Sequence, residues 1–474
     1  MSFIRANILL VNIESNKLKI FKSYKILFVF LLFFIIQLSV SAIENTESNS
    51  DANLQANMDY AEKITFDDIL KKAKEHSYDL KISDYNVLIA KQGVRGAKSE
   101  YFPKLNVNAG TEYTKNFRDA NESTVMSIGD AFINPYTRFQ SVLGITVSYN
   151  LFDFGVRGGN LKIAKEEVEL KNLESKQKLQ ELNLTLLDTY TKILLTSKQI
   201  QIYKQILELE QTNLKYNERL FKAKEISKVD LNNQKVKVGT AKRKISELLS
   251  IEQESLNWLS FYTGENYDIN KVKIADLHNS NFDVLDFQDY TKSIIWKVHE
   301  KNIKKKELEL KVVRRNNYPK LNVYGRYYLY GSDPNNYGKS IGNIEPSNLS
   351  VGASLNMPIF DGFKNSALIQ KTELELKQLY VERDKAIAQL MTRLANMRSN
   401  LIYLDEKVEL SSEILKELND KEKSVKRLCA KKMITPMEKN DVKIELLNQQ
   451  IELLKNDITH TAITIGIKIL TEEI

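Results

Sequence analysis

A nearly identical phrase occurs twice in this chain: Phe102-Pro103-Lys104-Leu105-Asn106-Val107 and, 216 positions on, Tyr318-Pro319-Lys320-Leu321-Asn322-Val323. A duplication constrains the fold more than any local signal, because each copy must build the same unit. The echo extends beyond the phrase. "NLFDFGVRGG" from Asn150 is matched by "PIFDGFKNSA" from Pro358, and "ERLFKAKEISKVDLNNQ" from Glu218 by "KRLCAKKMITPMEKNDV" from Lys426. In the last pair the offset is 208, Arg219 aligns with Arg427, Ile226 with Ile434, Ser227 with Thr435 and Asp230 with Glu438. The shorter offset reflects a longer loop between the first two strands.

Four segments alternate with period two, the pattern of a strand with one apolar and one polar face. Leu105, Val107, Ala109, Thr111 and Tyr113 oppose Asn106, Asn108, Gly110, Glu112 and Thr114; Leu143, Ile145, Val147, Tyr149 and Leu151 oppose Gly144, Thr146, Ser148 and Asn150. The third strand sets Leu321, Val323, Tyr327 and Leu329 against Asn322, Arg326 and three tyrosines. The fourth sets Leu349, Val351, Ala353, Leu355 and Met357 against Ser350, Gly352, Ser354 and Asn356. Tyr324, Tyr327, Tyr328 and Tyr330 look like an aromatic girdle at a membrane interface, with a strand core as the simpler account.

Helical spacing runs from Ile64 to about Glu100, from about Val156 to Lys222 and back to about Tyr262, then from about Asn365 to Ala430 and back to Leu470. Only seven prolines and 17 glycines occur in 474 residues, which suits long unbroken helices. Leu179, Leu182, Leu186, Tyr190 and Ile193 step by three and four, as a coiled-coil seam does. A helix of the Val156–Lys222 length extends about 100 Å at 1.5 Å per residue. In each copy the Asp of "FDFG" or "FDGF" is placed to cap the following helix, and its glycine permits the turn.

Lys17, Lys19, Lys22 and Lys25 precede the apolar run "ILFVFLLFFIIQLSV", and Val40-Ser41-Ala42 offers a cleavage site, so residues 1–42 read as a signal peptide. A membrane anchor is the competing reading, since the run is nearly long enough to span a bilayer. The basic lead-in is long for a signal, as if translation began later than Met1. Residues 43–62 form a polar flexible leader, 63–280 the first structural repeat and 281–474 the second. Cleavage removes five basic residues and one acidic residue, which halves the net charge from +8 to +4 and leaves only a weak argument for nucleic acid, so no nucleic-acid partner is expected. The single cysteine, Cys429, excludes a disulfide within the chain, so stability must come from packing or oligomerisation. His76, His278, His299 and His460 lack metal-ligand spacing, and no phosphate loop, nucleophile elbow or catalytic triad is visible. Neither an enzyme nor a cofactor or metal site is expected.

Four strands cannot close a membrane barrel, which needs about eight or more. Either several chains pool their strands, or two soluble hairpins cover helices with their apolar faces. Strands of this length suffice to span an outer membrane, and their apolar faces carry no charge. The tandem order of these motifs resembles the TolC-like outer-membrane efflux factors over nearly all of the chain after the signal.

That resemblance implies a mixed α/β membrane protein. Long α-helical coiled-coil hairpins would form a periplasmic tunnel, and four amphipathic β-strands per protomer would contribute to a homotrimeric 12-stranded β-barrel in outer-membrane lipid. The tunnel would dock onto a periplasmic adaptor (membrane fusion) protein and an inner-membrane pump of RND or ABC type, as the exit duct of a tripartite efflux or type I secretion system. It further implies tip carboxylates that narrow the tunnel: Asp230 in the first turn, Glu438 and Asp441 in the second. Three-fold rings of such groups favour cations; the competing reading is helix-start acids favoured by the helix dipole. Arg219, Lys224, Arg427 and Lys432 become adaptor-docking candidates, beside a reading as solubilising surface charge. Two departures stand out: Lys224 and Lys432 occupy positions where the family usually has glycine, and Ile434 replaces a basic latch residue. The alternative from a different class is a periplasmic coiled-coil structural or adaptor protein with soluble β-hairpins.

Overall fold

The computed structural model describes residues 63–115, 126–128, 131–133, 139–269, 272–277 and 289–471. The signal peptide, the polar leader, His278 and the boundary between the repeats lie outside the described residues. In chain order the strands are β1 (Lys63–Ile64), β2 (Lys104–Tyr113), β3 (Met126–Ile128), β4 (Ala131–Ile133), β5 (Phe139–Phe152), β6 (Lys273–Ile274), β7 (Lys320–Asp333) and β8 (Glu345–Asn356). The α-helices are α1 (Phe66–His76), α2 (Tyr78–Ser99), α3 (Val156–Lys222), α4 (Lys228–Thr263), α5 (Ile294–Arg315), α6 (Tyr337–Gly342), α7 (Lys364–Ala430) and α8 (Pro436–Thr471).

The duplication is visible in lengths alone. Helices α2 and α5 have 22 residues each, α3 and α7 have 67, and α4 and α8 have 36. One expectation needs correction: the helix over 64–100 is two helices. Ser77 leaves the helical region at φ −49°, ψ 122°, and its hydroxyl accepts from the Leu80 amide at 3.4 Å. Its side chain competes with the helical ladder and starts a new helix.

Strands β2, β5, β7 and β8 form one antiparallel sheet in that order. Its register keeps the two faces chemically separate. Across the sheet Val107, Ile145, Tyr327 and Leu349 stand in one row, while Asn106, Thr146, Arg326 and Ser350 stand in the next, on the opposite face. The same register corrects the girdle reading. Only Tyr327 shares the apolar face; Tyr324, Tyr328 and Tyr330 lie on the polar one. Two of these rings occupy notches left by glycine: a Cβ at Gly144 would stand 2.5 Å from Tyr328 Cε1, and one at Gly352 2.6 Å from Tyr324 Oη.

Each strand pair hands over to its long helix through two consecutive left-handed residues, Phe154-Gly155 and Gly362-Phe363. Glycine fills one of the two positions in each copy, which is why "DFG" and "DGF" are interchangeable. As expected, Asp153 Oδ2 accepts from the Arg157 amide and Asp361 Oδ2 from the Asn365 amide, both at 2.9 Å.

Helix α3 packs against α2 and α4, and also against α5 and α8, which in turn pack on α7. The seam residues Leu182, Leu186, Tyr190 and Ile193 are buried with Ile69 and Ala73 of α1 and Leu256 and Leu259 of α4. Strands β1 and β6 pair in parallel beside this core. The Tyr190 hydroxyl donates towards the Ile64 and Ala275 carbonyls at 3.1 and 2.7 Å, so a core side chain ties the two short strands to the coiled coil.

Candidate functional site at the helix tips

Helices α3 and α4 turn into one another between Lys222 and Lys228, α7 and α8 between Ala430 and Pro436. The two turns are built alike. In the first, the Lys224 amide bonds the Phe221 carbonyl at 3.0 Å and the Glu225 amide bonds the Leu220 carbonyl at 2.9 Å. In the second, Lys432 bonds Cys429 at 2.9 Å and Met433 bonds Leu428 at 3.0 Å. These are Schellman closures, which require a left-handed residue at the first position past the cap. Lys224 and Lys432 supply it at φ 65° and 60°. The glycine preference of these positions therefore has a backbone cause, and lysine adopts the conformation here.

Asp230 and Glu438 are engaged at the start of the returning helices. Asp230 Oδ2 accepts from the Ser227 amide at 3.2 Å and hydroxyl at 2.7 Å, while Ser227 Oγ accepts from the Asp230 amide. Glu438 Oε2 accepts from the Thr435 amide at 2.9 Å, and Thr435 Oγ1 accepts from the Glu438 amide at 3.2 Å. Both are capping boxes. The geometry gives these acids a helix-capping task, while their exposure leaves them able to contribute charge at the tip.

Asp441 is different. Its Oδ1 accepts from Asn213 Nδ2 at 3.1 Å, and Asn213 Oδ1 accepts from Asn440 Nδ2 at 2.8 Å. Asn213 is only 1 % exposed. Helix α3 of the first hairpin is thus joined to α8 of the second by side-chain hydrogen bonds. Beside this link Gln234 Nε2 donates to Glu210 Oε2 at 2.5 Å and to the Glu210 carbonyl at 3.1 Å, tying α4 to α3. Sequence reasoning missed Asn213, Glu210 and Gln234. A signal was present: Glu210, Asn213 and Asn217 continue the three-and-four spacing of the apolar seam with polar residues, the device that fixes pairing in coiled coils at a cost in stability.

Arg219, Lys224, Arg427 and Lys432 are all exposed around the two turns, and none of them forms an ion pair among the described residues. Above the second turn Glu422 meets Lys426 at 3.0 Å and Lys443 at 3.3 Å. Burial pushes the Glu422 carboxyl upward, but hydrogen bonds from the two lysines outweigh it and hold the group below its ordinary range. No cluster of three or more metal-ligating side chains exists among the described residues, and no described helix is long and apolar enough to cross a membrane. Of the histidines, His460 lies 3.0 Å from Asp405, and His76 packs against Tyr78 and Gly264.

The family model described as outer membrane efflux protein matches residues 69–265 and 297–461, covering both repeats and both tips. The chain belongs to that family. Solved structures agree with the assignment of an outer-membrane efflux protein fold. CusC is similar at a TM-score of 0.70 and 15 % identity, over 89 % of this chain and 96 % of that one. VceC from Vibrio cholerae follows at 0.69 and 13 %, over 86 % and 96 %, and CmeC from Campylobacter jejuni at 0.68 and 12 %, over 85 % of each. No curated protein matches the sequence. At these identities the structures speak for the fold: long helical hairpins joined to a sheet that is part of a barrel.

Proposed function

We propose that three copies of this chain close into a 12-stranded outer-membrane barrel continued by a periplasmic helical tunnel. This assembly would be the passive, non-enzymatic exit duct of a tripartite efflux or type I secretion system. One observation carries the reading: a four-stranded sheet whose apolar face carries no charge except Asp333 at the end of β7, and whose edges, β2 and β8, are unpaired among the described residues, too small to close alone. Helices α2 and α4 on one flank and α7 on the other are likewise the outer members of their layer. Flanks that differ from each other join head to tail, and such contacts form a ring when the rotation closes.

The apolar sheet face meets outer-membrane lipid. At the other end the tips face a periplasmic adaptor and, beyond it, an inner-membrane pump of RND or ABC type, with Arg219, Lys224, Arg427 and Lys432 as docking residues. Asp230, Glu438 and Asp441 set the charge of the constriction. Asp441 has a further part, since its bond to Asn213 holds the two hairpins together and must break for them to separate.

Planar-bilayer conductance tests the proposal. Asp441→Ala is expected to raise the open conductance, and Glu438→Gln/Asp441→Asn to lower cation preference and divalent-ion block. Unchanged values in both variants remove the tip carboxylates from gating. A mature protein that purifies as a soluble monomer without detergent overturns the duct itself.

A further inference from the structure

The two repeats overlay by number. Helix α5 follows α2 at an offset of 216, and α7 and α8 follow α3 and α4 at 208, with equal lengths in each pair. Helix α3 packs on α2 and α4 of its own repeat and on α5 and α8 of the other. Its counterpart α7 packs on its own α5 and α8, while α2 and α4, the equivalents of its missing neighbours, pack on α3. Inside the chain Glu166 of α3 meets Lys301 and Lys304 of α5 at 3.0 and 2.7 Å. The same positions on the open faces are Leu374 of α7 and Tyr85 and Leu88 of α2, all exposed. An ionic contact has become apolar on both sides at once. Glu375, the counterpart of Glu167, keeps its charge but is paired with Lys306 at 3.1 Å. Further along, Leu187 of α3 lies 3.7 Å from where a Cβ of Gly466 in α8 would stand. The open faces reverse the sizes, with Ala395 on α7 and Trp258 on α4, both exposed. Towards the tips Ile206 packs with Leu447. Their counterparts are the exposed Ile414 and Gly239, whose missing Cβ has nothing within 4 Å.

We propose that α2 and α4 of one copy dock onto α7 of the next in the register that α5 and α8 hold on α3, with apolar contacts in place of ion pairs. The occupant is a second copy of this chain, because the two open faces match in charge, size and position, and the internal contact supplies their geometry. This docking rests on the ring of identical copies and adds which residues meet: Leu374 with Tyr85 and Leu88, Ala395 with Trp258, and Ile414 with Gly239. The same offsets set β8 against β2 of the neighbour with Ala353 opposite Thr111, as Ile145 stands opposite Tyr327 within the sheet. The difference in chemistry keeps the two kinds of contact apart. An α2 face laid on α3 at the place of α5 leaves Glu166 without its lysines, and an α5 face laid on the open side of α7 sets Lys301 and Lys304 against Leu374. Each mismatch buries an unpaired charge, so internal and external contacts are not interchangeable.

Disulfide trapping of the mature chain in detergent tests the register, with Cys429→Ser removing the native thiol. Facing residues of an antiparallel pair stand about 4.5–5.5 Å apart, within reach of a disulfide. Thr111→Cys/Ala353→Cys should therefore give covalent dimers and trimers on oxidation, and Ala109→Cys/Ala353→Cys, one pleat out of register, should not. The helical contact is read from the trimer–monomer equilibrium on dilution. Leu374→Glu should weaken the trimer about tenfold or more by burying an unpaired charge. Adding Tyr85→Lys should restore it at low salt, and the restored trimer, unlike the wild type, should dissociate near 1 M salt, where the Debye length is about 3 Å. Leu374 is exposed in the single chain, so an unaltered circular-dichroism spectrum of the variant monomer separates lost docking from lost folding. Conducting trimers without the Thr111→Cys/Ala353→Cys disulfide, or a Leu374→Glu trimer as robust as the wild type, overturn the proposal and leave the duct standing. Copies joined by that disulfide that do not conduct keep the docking and remove the duct.

Discussion

At the scale of single residues, the two tip lysines show how a backbone demand can be met by an unexpected side chain. Lys224 and Lys432 sit at φ 65° and 60°, a region costing about 1 kcal/mol or more for a residue with a Cβ. Lys224→Gly is expected to raise the unfolding temperature slightly, through up to about 1 kcal/mol, because relief of strain competes with the greater freedom of glycine in the unfolded chain. Lys224→Val should lower it, since a β-branched residue fits the left-handed region worst. A melting series ranking valine above lysine would refute the strain argument. The sequence located these positions through the repeat, but the reason for them is the pair of backbone hydrogen bonds that closes the last turn of each outgoing helix.

At the scale of elements, α5 is held between α3 and α7 by ion pairs. Lys301 and Lys304 meet Glu166 at 3.0 and 2.7 Å, Lys305 meets Glu167 at 2.8 Å, and Lys306 and Arg314 meet Glu375 and Glu373 at 3.1 and 2.7 Å. Burial alone would raise the Glu166 carboxyl, yet hydrogen bonds from Lys304 and Lys301 dominate and lower it from 4.5. A carboxyl depressed by folding stabilises the fold above its ordinary value, and that contribution disappears as pH falls through the lower folded value. Thermal stability should therefore decline as the medium is acidified below about pH 4.5. Glu166→Gln should flatten that decline and cost about 1 kcal/mol or less at neutral pH; a wild-type acid profile in the variant would dismiss the pairing. Helix and strand extents were legible because long periodic segments leave a strong pattern. The break at Ser77 and the two-residue strands β1 and β6 were not, since so short a feature has no period to read.

At the scale of the whole molecule, the separation of the sheet faces predicts opposite outcomes for neighbouring substitutions. Val351 is 84 % exposed on the apolar face, while Ser350 belongs to the polar row. Val351→Arg should destabilise the lipid-embedded protein by about 2–4 kcal/mol, and Ser350→Arg by close to nothing. Denaturant unfolding from liposomes measures both, and equal costs would contradict the assignment of faces. The sequence by itself determined the duplication, the four amphipathic strands, the long hairpins and the location of both tip turns, because each is written as a period or a repeated phrase along the chain. The tertiary structure decided which side chains meet: Asp441 with Asn213, Gln234 with Glu210, and the Tyr190 hydroxyl with the carbonyls of Ile64 and Ala275. Those contacts join residues far apart in the chain, and their partners follow from strand register and helix packing, which no local pattern encodes.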